Sequence, residues 1–137
     1  GLDDRIFFLG ELSDAEAVGL RRAGDIFCLP SHLRSEAFGV TQIEAMACGL
    51  PVVSTGLPGV SEVNVDGETG RVVAPGDSEA FRQALGELAE NAEMRRAMGE
   101  AARQRARSLY SADTMAEKLK SIYASVLRSK ALADTVH

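Results

Sequence analysis

Several residue types and patterns are scarce in this sequence, and each absence argues against a class of protein. Tryptophan is missing, aromatic residues make up 5%, and only two of the 137 residues are cysteine. No apolar run approaches the ~18 residues that a membrane-spanning helix needs. Cys28 and Cys48 sit in apolar surroundings without the spacing of metal ligands. We therefore expect buried free thiols in a reducing compartment, such as the cytoplasm.

Basic charge is also scarce. The formal net charge is -5, which argues against nucleic-acid binding because a basic face is its usual footprint. Residues 1–70 carry 11 acidic and 4 basic side chains, whereas residues 71–137 carry 9 and 11. The later basic excess centres on Arg95, Arg96, Arg103, Arg105 and Arg107. We interpret this cluster as a solvated helix face, with an anionic membrane surface or partner as the alternative.

The remaining composition is that of an ordinary globular chain, with 45% apolar and 26% charged residues. Short apolar runs predict buried strands at 5–9, 25–29 and 51–55, and a fourth strand is predicted at 69–74. Capping signals and glycine stops predict helices at 14–24, 40–48, 61–63, 77–89, 93–108 and 111–127. This alternation predicts the α/β class, a Rossmann-like parallel sheet with flanking helices and a helical C-terminal tail. In such folds ligands bind beyond the carboxyl ends of the strands, here after Leu29 and Thr55.

The segment 36–49 holds the least ordinary residues. Gly39 allows close backbone approach and opens a helix, so the amides of Gly39, Val40 and Thr41 can face a phosphate at a positively polarised helix N-terminus. Glu36 precedes this helix and Glu44 lies on it, and both could accept hydrogen bonds from sugar hydroxyls. From the residues alone, a loop carboxylate at 36 and a surface ion pair or cap at 44 remain the alternative.

The same segment resembles the two-glutamate E-x7-E signature of the group 1 glycosyltransferases, the retaining GT-B family 4. Residues 44–53, EAMACGLPVV, match the family pattern EAMAxGxPVV. Further similarities follow in family order at 8–10, 25–31, 66–70 and 94–103. The Pro30–Glu36 spacing is two residues longer than usual, and Ala37 replaces the usual glycine. The form around Glu36 is similar to bacterial rhamnosyl- and mannosyltransferases that build surface polysaccharides.

The resemblance implies roles for residues. Glu36 would be the catalytic residue beside the donor sugar, and Glu44 would bind the ribose hydroxyls. The donor-binding backbone would come from Ala37, Phe38 and Gly39 at the sugar and from Val40 and Thr41 at the diphosphate. Lesser candidates are His32 and Arg34, which could contact the donor phosphate or acceptor, with neutral exposed loop residues as the alternative. Glu62 is a further lesser candidate, which helix capping explains equally well. No metal or other cofactor is expected, and no Asp-x-Asp motif occurs.

The implied function is transfer of a sugar from a GDP- or UDP-sugar to the hydroxyl of an acceptor glycan or lipid-linked sugar, with retention of configuration. The alternatives are a GT-B-type sugar-nucleotide epimerase and a non-catalytic nucleotide-binding or scaffolding module. We expect a cytoplasmic protein that could contact the inner face of the membrane.

The resemblance also bears on domain organisation. It implies that residues 1–137 form part of the nucleotide-sugar-binding C-terminal domain, without the acceptor-binding domain and first two strands. Alone, such a chain would bind nucleotide weakly and transfer nothing. The strand at 5–9 would be separated from the other three, so we expect a rearranged sheet, a strand-exchanged homodimer or a fragment of a larger protein.

Overall fold

Strands and helices alternate along the first half of the chain. The computed structural model describes residues 3–32 and 38–134. Within those ranges the elements are, in chain order, α1 (Asp14–Ala23), β1 (Phe27–Leu29), α2 (Val40–Ala47), β2 (Val52–Thr55), α3 (Val60–Val63), β3 (Gly70–Val73), α4 (Ser78–Glu90), α5 (Ala92–Tyr110) and α6 (Ala112–Asp134). None of these described helices is long and apolar enough to cross a membrane. The α/β class and the helical tail are confirmed.

Within residues 3–32 and 38–134 the sheet has three parallel strands, in the order β1-β2-β3. Phe27 pairs with Val52, and Val52 in turn pairs with Gly70. Every residue of the central strand β2 is buried. Because successive strand residues face opposite sides, the neighbours Val52 and Val53 belong to two separate apolar clusters. The first cluster adds Met46, Val63, Ala102 and Ala106, and the second adds Ala84, Leu88 and Met98.

Local signals in the sequence place the helix ends. The Ser13 hydroxyl accepts from the Glu16 amide, and the Glu16 carboxylate accepts from the Ser13 amide at 2.9 Å. This is the predicted capping box, and the hydrogen bonds from Ser13 lower the pKa of Glu16. Asp77 caps α4 by accepting from the Ala80 amide at 2.9 Å. Gly49 follows α2 with a φ of +87°, a conformation that favours glycine.

A buried asparagine joins β2 to β3. Asn64 follows α3 and is 1% exposed. Its amide donates to the carbonyls of Val52 and Arg71, both at 3.1 Å, and to the Ser54 hydroxyl at 2.9 Å. Its oxygen accepts from the Thr69 hydroxyl at 2.8 Å. The polar groups of this buried amide are therefore satisfied, as burial requires.

Three of the clustered arginines are not a solvated helix face. Arg95 donates to the Leu88 and Ala89 carbonyls near the end of α4, and Arg103 donates to the Cys48 carbonyl at the end of α2. Arg105 donates to the Glu62 and Val63 carbonyls of α3. Cations at helix C-termini satisfy otherwise unpaired carbonyls and oppose the helix dipole. The predicted solvated face is thus wrong for these residues, while Arg96 and Arg107 are exposed.

Helix α5 also crosses α2 at very short range. A Cβ added to Gly99 would lie 2.2 Å from the carbonyl oxygen of Gly49. A Cβ on Gly49 would lie 2.3 Å from an Nη atom of Arg103. The two glycines allow the close approach that brings the Arg103 guanidinium onto the end of α2.

The predicted strand at 5–9 does not form in the described chain. Residues 6–10 have no regular secondary structure, and Phe8 is 97% exposed. A strand exists through its ladder of hydrogen bonds to a neighbour, and the described sheet ends at β1. The expected rearrangement of this segment into the sheet is therefore wrong. A strand-exchanged dimer remains a prediction.

The predicted burial of β1 and of both thiols is wrong as well. Cys28 is exposed and Cys48 is partly buried. Phe27 and Leu29 are half-buried on either side of Cys28. The physical reason is that β1 is an edge strand of the described sheet, with β2 on one side only.

Candidate functional site

The segment that the sequence singles out, 36–49, consists of the end of the β1–α2 connection and of α2 itself. Residues 33–37 fall outside the described residues, and with them Arg34, Glu36 and Ala37. The structure does place the rest of the candidates: His32, Phe38, Gly39, Val40, Thr41, Glu44 and Glu62. The described part of the candidate site consists of α2 and the elements that contact it.

Gly39 is held in a conformation and a space that suit only glycine. It caps the N-terminus of α2 with φ of 67° and ψ of 56°, in the left-handed region. An added Cβ would lie 2.8 Å from Nε2 of Gln42 and 2.9 Å from Cδ2 of Leu29. The predicted helix start after Gly39 is confirmed, and the glycine is required by packing as well as by backbone angle.

The N-terminus of α2 offers amide donors. Within the described residues no side chain caps this helix, and no acidic residue occupies its first turn. The first amides of a helix have no acceptor within the helix, and together they carry about half a positive charge. Val40 and Thr41, which bear two of these amides, are exposed. This end of α2 can therefore receive an anion such as a phosphate.

Gln42 braces the turn that leads into α2. Its side chain is fully buried, and its amide donates to the Phe38 carbonyl at 3.1 Å and to the Val60 carbonyl at 3.0 Å. Its Oε1 atom is buried and accepts no hydrogen bond within the described chain. Gln42 thus fixes the turn before α2 to the start of α3. Sequence reasoning missed this residue, although a glutamine in the apolar pattern of a buried helix face was the available signal.

A second brace reaches the same turn from α5. The ring of Phe38 meets the ring of Tyr110 edge to face, with centroids 5.8 Å apart and an interplanar angle of 80°. The Tyr110 hydroxyl donates to the Glu62 carbonyl at 3.4 Å. Helix α5 therefore supports both the turn and α3, which gives the N-terminus of α2 fixed surroundings.

Glu44 is held by an ion pair from α1. Nη2 of Arg21 donates to Oε2 of Glu44 at 2.5 Å. The arginine side chain is 17% exposed and the glutamate side chain 49%. The surface ion pair that the residues alone left open is therefore present, and half of the glutamate side chain stays accessible to a ligand.

The lesser candidates have different surroundings. Glu62 is exposed, and it is its backbone carbonyl that accepts from Arg105 and Tyr110. His32 lines a cavity of about 270 Å³ beyond the carboxyl ends of the three strands. The Thr55 hydroxyl, which also borders the cavity, donates to the Ser31 carbonyl. The cavity walls are completed by Pro30, Ala74, Gly76, Asp77, Ser78 and Phe81.

Comparison with known families decides where this architecture belongs. The family described as glycosyl transferases group 1 matches residues 1–105, which contain the whole sheet, the N-terminus of α2 and Glu44. The chain belongs to the group 1 glycosyl transferases. The family resemblance inferred from the E-x7-E segment is confirmed.

Individual group 1 relatives carry specific names. The chain is 36% identical over 129 residues to a phosphatidyl-myo-inositol mannosyltransferase of Mycobacterium leprae, covering 94% of this chain and 34% of the relative. It is 39% identical over 108 residues to the D-rhamnosyltransferase WbpZ of Pseudomonas aeruginosa, covering 78% and 28%. The chain therefore spans about a third of the length of these relatives.

Solved structures agree with the GT-B assignment. Sucrose-phosphate synthase from Thermosynechococcus elongatus superposes with a TM-score of 0.84 at 28% identity, covering 93% of this chain and 32% of that protein. Alr3699/HepE of Anabaena, solved in complex with UDP-glucose, superposes with a TM-score of 0.82 at 27% identity, covering 90% and 33%. The described part of the chain thus has the fold of part of each of these proteins.

Proposed function

We propose that this chain is the donor-binding part of a retaining glycosyltransferase, which transfers a sugar from a nucleotide diphosphate sugar to an acceptor hydroxyl. The observation that carries the proposal is the N-terminus of α2, with a left-handed Gly39, no acidic residue in its first turn, and Glu44 on the same helix. Phosphate and ribose of one nucleotide could be bound by a single helix in this arrangement.

The proposed chemistry depends on charge stabilisation. Departure of a nucleoside diphosphate places negative charge on phosphate oxygens, and fixed amide donors stabilise such charge without reorganisation. Gln42 and Tyr110 brace the turn that presents these amides. Glu36 would act beside the donor sugar, with the backbone of Ala37, Phe38 and Gly39 around it. His32 and Arg34 would contact the donor phosphate or the acceptor, and Glu62 remains a lesser candidate. No metal or other cofactor is part of this proposal.

The donor is proposed to be a GDP- or UDP-sugar. Mannosyl- and rhamnosyltransferases among the relatives favour a mannose- or rhamnose-type sugar, and the UDP-glucose complex of HepE shows that a protein of this fold binds a nucleotide sugar. The acceptor would be a glycan or lipid-linked sugar. The free thiols of Cys28 and Cys48 support a cytoplasmic location, at which contact with a membrane surface would be peripheral.

A binding experiment with Glu44→Gln tests the proposal. Calorimetric titration of the chain with UDP- and GDP-sugars should show weak binding, and the variant should lose about tenfold or more in affinity because a charged hydrogen-bond acceptor is lost. Glu90→Gln is the matched control, since Glu90 is exposed at the end of α4. Equal affinities for the three proteins would contradict the assigned role of Glu44. Release of an epimerised sugar would instead favour the epimerase.

A further inference from the structure

The ion pair between α1 and α2 joins a residue of no assigned role to the proposed ribose-binding glutamate. Arg21 lies in the last turn of α1, 23 residues before Glu44 in the sequence. Its Nη2 atom donates to one carboxylate oxygen, Oε2, and no hydrogen bond to Oε1 is found in the described chain. Each carboxylate oxygen has two lone pairs. The carboxylate can therefore accept ligand hydroxyls while it stays paired.

Arg21 is itself restrained. Its side chain borders an apolar cavity of about 370 Å³ between α1, β1 and the end of α2, and it is only 17% exposed. The capping box of Ser13 and Glu16 fixes the other end of α1. Packing of the aliphatic part of Arg21 therefore restricts the position of its guanidinium beside Glu44. In an ordinary surface ion pair both side chains rotate freely.

The pair is poorly explained as a stabilising contact. Glu44 is about half exposed, and ion pairs of that exposure contribute little to folding. A fixed arginine does, however, restrict the rotamers of the glutamate that it pairs with. Groups that orient a binding residue commonly affect ligand affinity even though they do not touch the ligand.

We propose that Arg21 is a positioning residue that holds the Glu44 carboxylate in the orientation in which it accepts the ribose hydroxyls of the donor. This inference rests on the proposed function, which assigns the ribose to Glu44. Its consequence is specific: removal of Arg21 should reduce the contribution of the ribose hydroxyls to binding more than that of the phosphates.

The test compares nucleotides with and without a ribose hydroxyl. The 137-residue chain is titrated with UDP and GDP and with their 2′-deoxy counterparts, and binding is followed by NMR, which also shows whether each variant is folded. The variants are Arg21→Gln, Arg21→Lys, Glu44→Gln and the control Arg22→Gln. Arg22 is the neighbouring exposed arginine, and it makes no ion pair within the described residues. Arg22→Gln therefore removes the same charge as Arg21→Gln but leaves the contact between Arg21 and Glu44 intact.

The expected results are expressed as a ratio of two dissociation constants, that of the 2′-deoxy nucleotide divided by that of the nucleotide with its 2′-hydroxyl. Loss of the 2′-hydroxyl should weaken binding about tenfold in the unaltered chain, as for a hydrogen bond to a charged group. Arg21→Gln should reduce this ratio to about twofold, and Arg21→Lys should retain an intermediate ratio because lysine keeps the charge without the planar fork. Arg22→Gln should leave the ratio unchanged.

Every other outcome contradicts either the positioning role of Arg21 or the proposed function. Suppose that Glu44→Gln binds the nucleotide and its 2′-deoxy counterpart equally well, while Arg21→Gln behaves like Arg22→Gln. The positioning role of Arg21 is then overturned and the proposed function stands. Tighter binding by Arg21→Gln would show that the arginine competes with the nucleotide, and this also overturns the role. If Glu44→Gln keeps the full ratio, or if the unaltered chain binds neither nucleotide at millimolar concentration, the proposed function fails first.

Discussion

At the scale of single residues, buried polar side chains carry information that local patterns do not. Asn64 and Gln42 are almost fully buried, and each connects segments that are distant in sequence. Hydrogen bonds from one buried side-chain amide to two backbone carbonyls leave no pattern in the spacing of apolar residues. The sequence therefore predicted the strands that Asn64 joins, but not the residue that joins them.

Replacement of Asn64 by leucine should destabilise the fold. The carbonyls of Val52 and Arg71 and the hydroxyls of Ser54 and Thr69 would lose their buried partner. We expect a loss of about 2–4 kcal/mol in the free energy of unfolding, measured by urea denaturation. Asn91→Ala, which removes a helix cap at an exposed position, should lose about 1 kcal/mol. Comparable losses in the two variants would contradict the role given to Asn64.

Replacement of Gln42 by leucine should affect both stability and the site. The Phe38 and Val60 carbonyls would lose their buried donor, at a cost of about 1–3 kcal/mol. Because the turn before α2 would also lose a brace, nucleotide affinity should fall. Denaturation and a nucleotide titration together check this, with Gln83→Leu, an exposed position on α4, as the control. Unchanged affinity in a folded Gln42→Leu chain would separate Gln42 from the site.

At the scale of elements, helix ends were predictable and helix contacts were not. The capping box at Ser13, the Asp77 cap and the glycine stop at Gly49 act within one turn of chain, so the sequence alone locates them. The contacts of α5 depend on packing between residues that are far apart in sequence, such as Arg105 and Val63, whose numbers differ by 42. Composition suggested a solvated basic face for the same residues.

The crossing of α5 over α2 makes a clear prediction about two helical glycines. Gly99→Ala should destabilise the fold by about 2 kcal/mol or more, since its Cβ would lie 2.2 Å from the Gly49 carbonyl oxygen. Gly86→Ala on α4 meets no atom within 4 Å. It should stabilise the fold by about 0.5–1 kcal/mol through helix propensity. Thermal unfolding of both variants is the measurement, and shifts of the same sign would contradict the described crossing.

The ion pair between β3 and α4 predicts a dependence of stability on pH. Arg71 donates to both carboxylate oxygens of Glu87, at 2.8 and 2.5 Å, and this lowers the pKa of Glu87. A pKa lower in the folded than in the unfolded state gives stability that is present above the unfolded value, about 4.3. It is lost as pH falls through the folded value. Glu87→Gln should therefore reduce the loss of stability on acidification below about pH 5. An unchanged pH profile in urea denaturation would contradict this.

At the scale of the whole molecule, the parallel α/β arrangement was predictable because alternation of apolar strands and amphipathic helices is a property of the entire pattern. Three of the four predicted strands form one sheet in the described chain. The segment at 6–9 has the apolar composition of a strand, but composition cannot supply the neighbour that a strand needs. Helix α6 also carries exposed apolar side chains. Met115, Leu119 and Ile122 are each more than half exposed to solvent.

In the candidate site, too, features set by neighbouring residues were predictable from the sequence, whereas contacts from distant elements were not. Gly39 and the start of α2 followed from the local sequence, and the family followed from the E-x7-E segment. The braces from Gln42 and Tyr110 and the partner of Glu44 come from other elements. They could not be predicted because they depend on which helices meet in space.

Mapping nucleotide-sugar binding by NMR on the 137-residue chain tests directly whether the donor site lies at the N-terminus of α2. The amide resonances of Gly39, Val40 and Thr41 should shift on addition of a UDP- or GDP-sugar, and saturation should require high concentration. The same sugar without its nucleotide should produce no comparable shift. Shifts centred on another surface of the chain, with these three amides unaffected, would contradict a donor site at the N-terminus of α2.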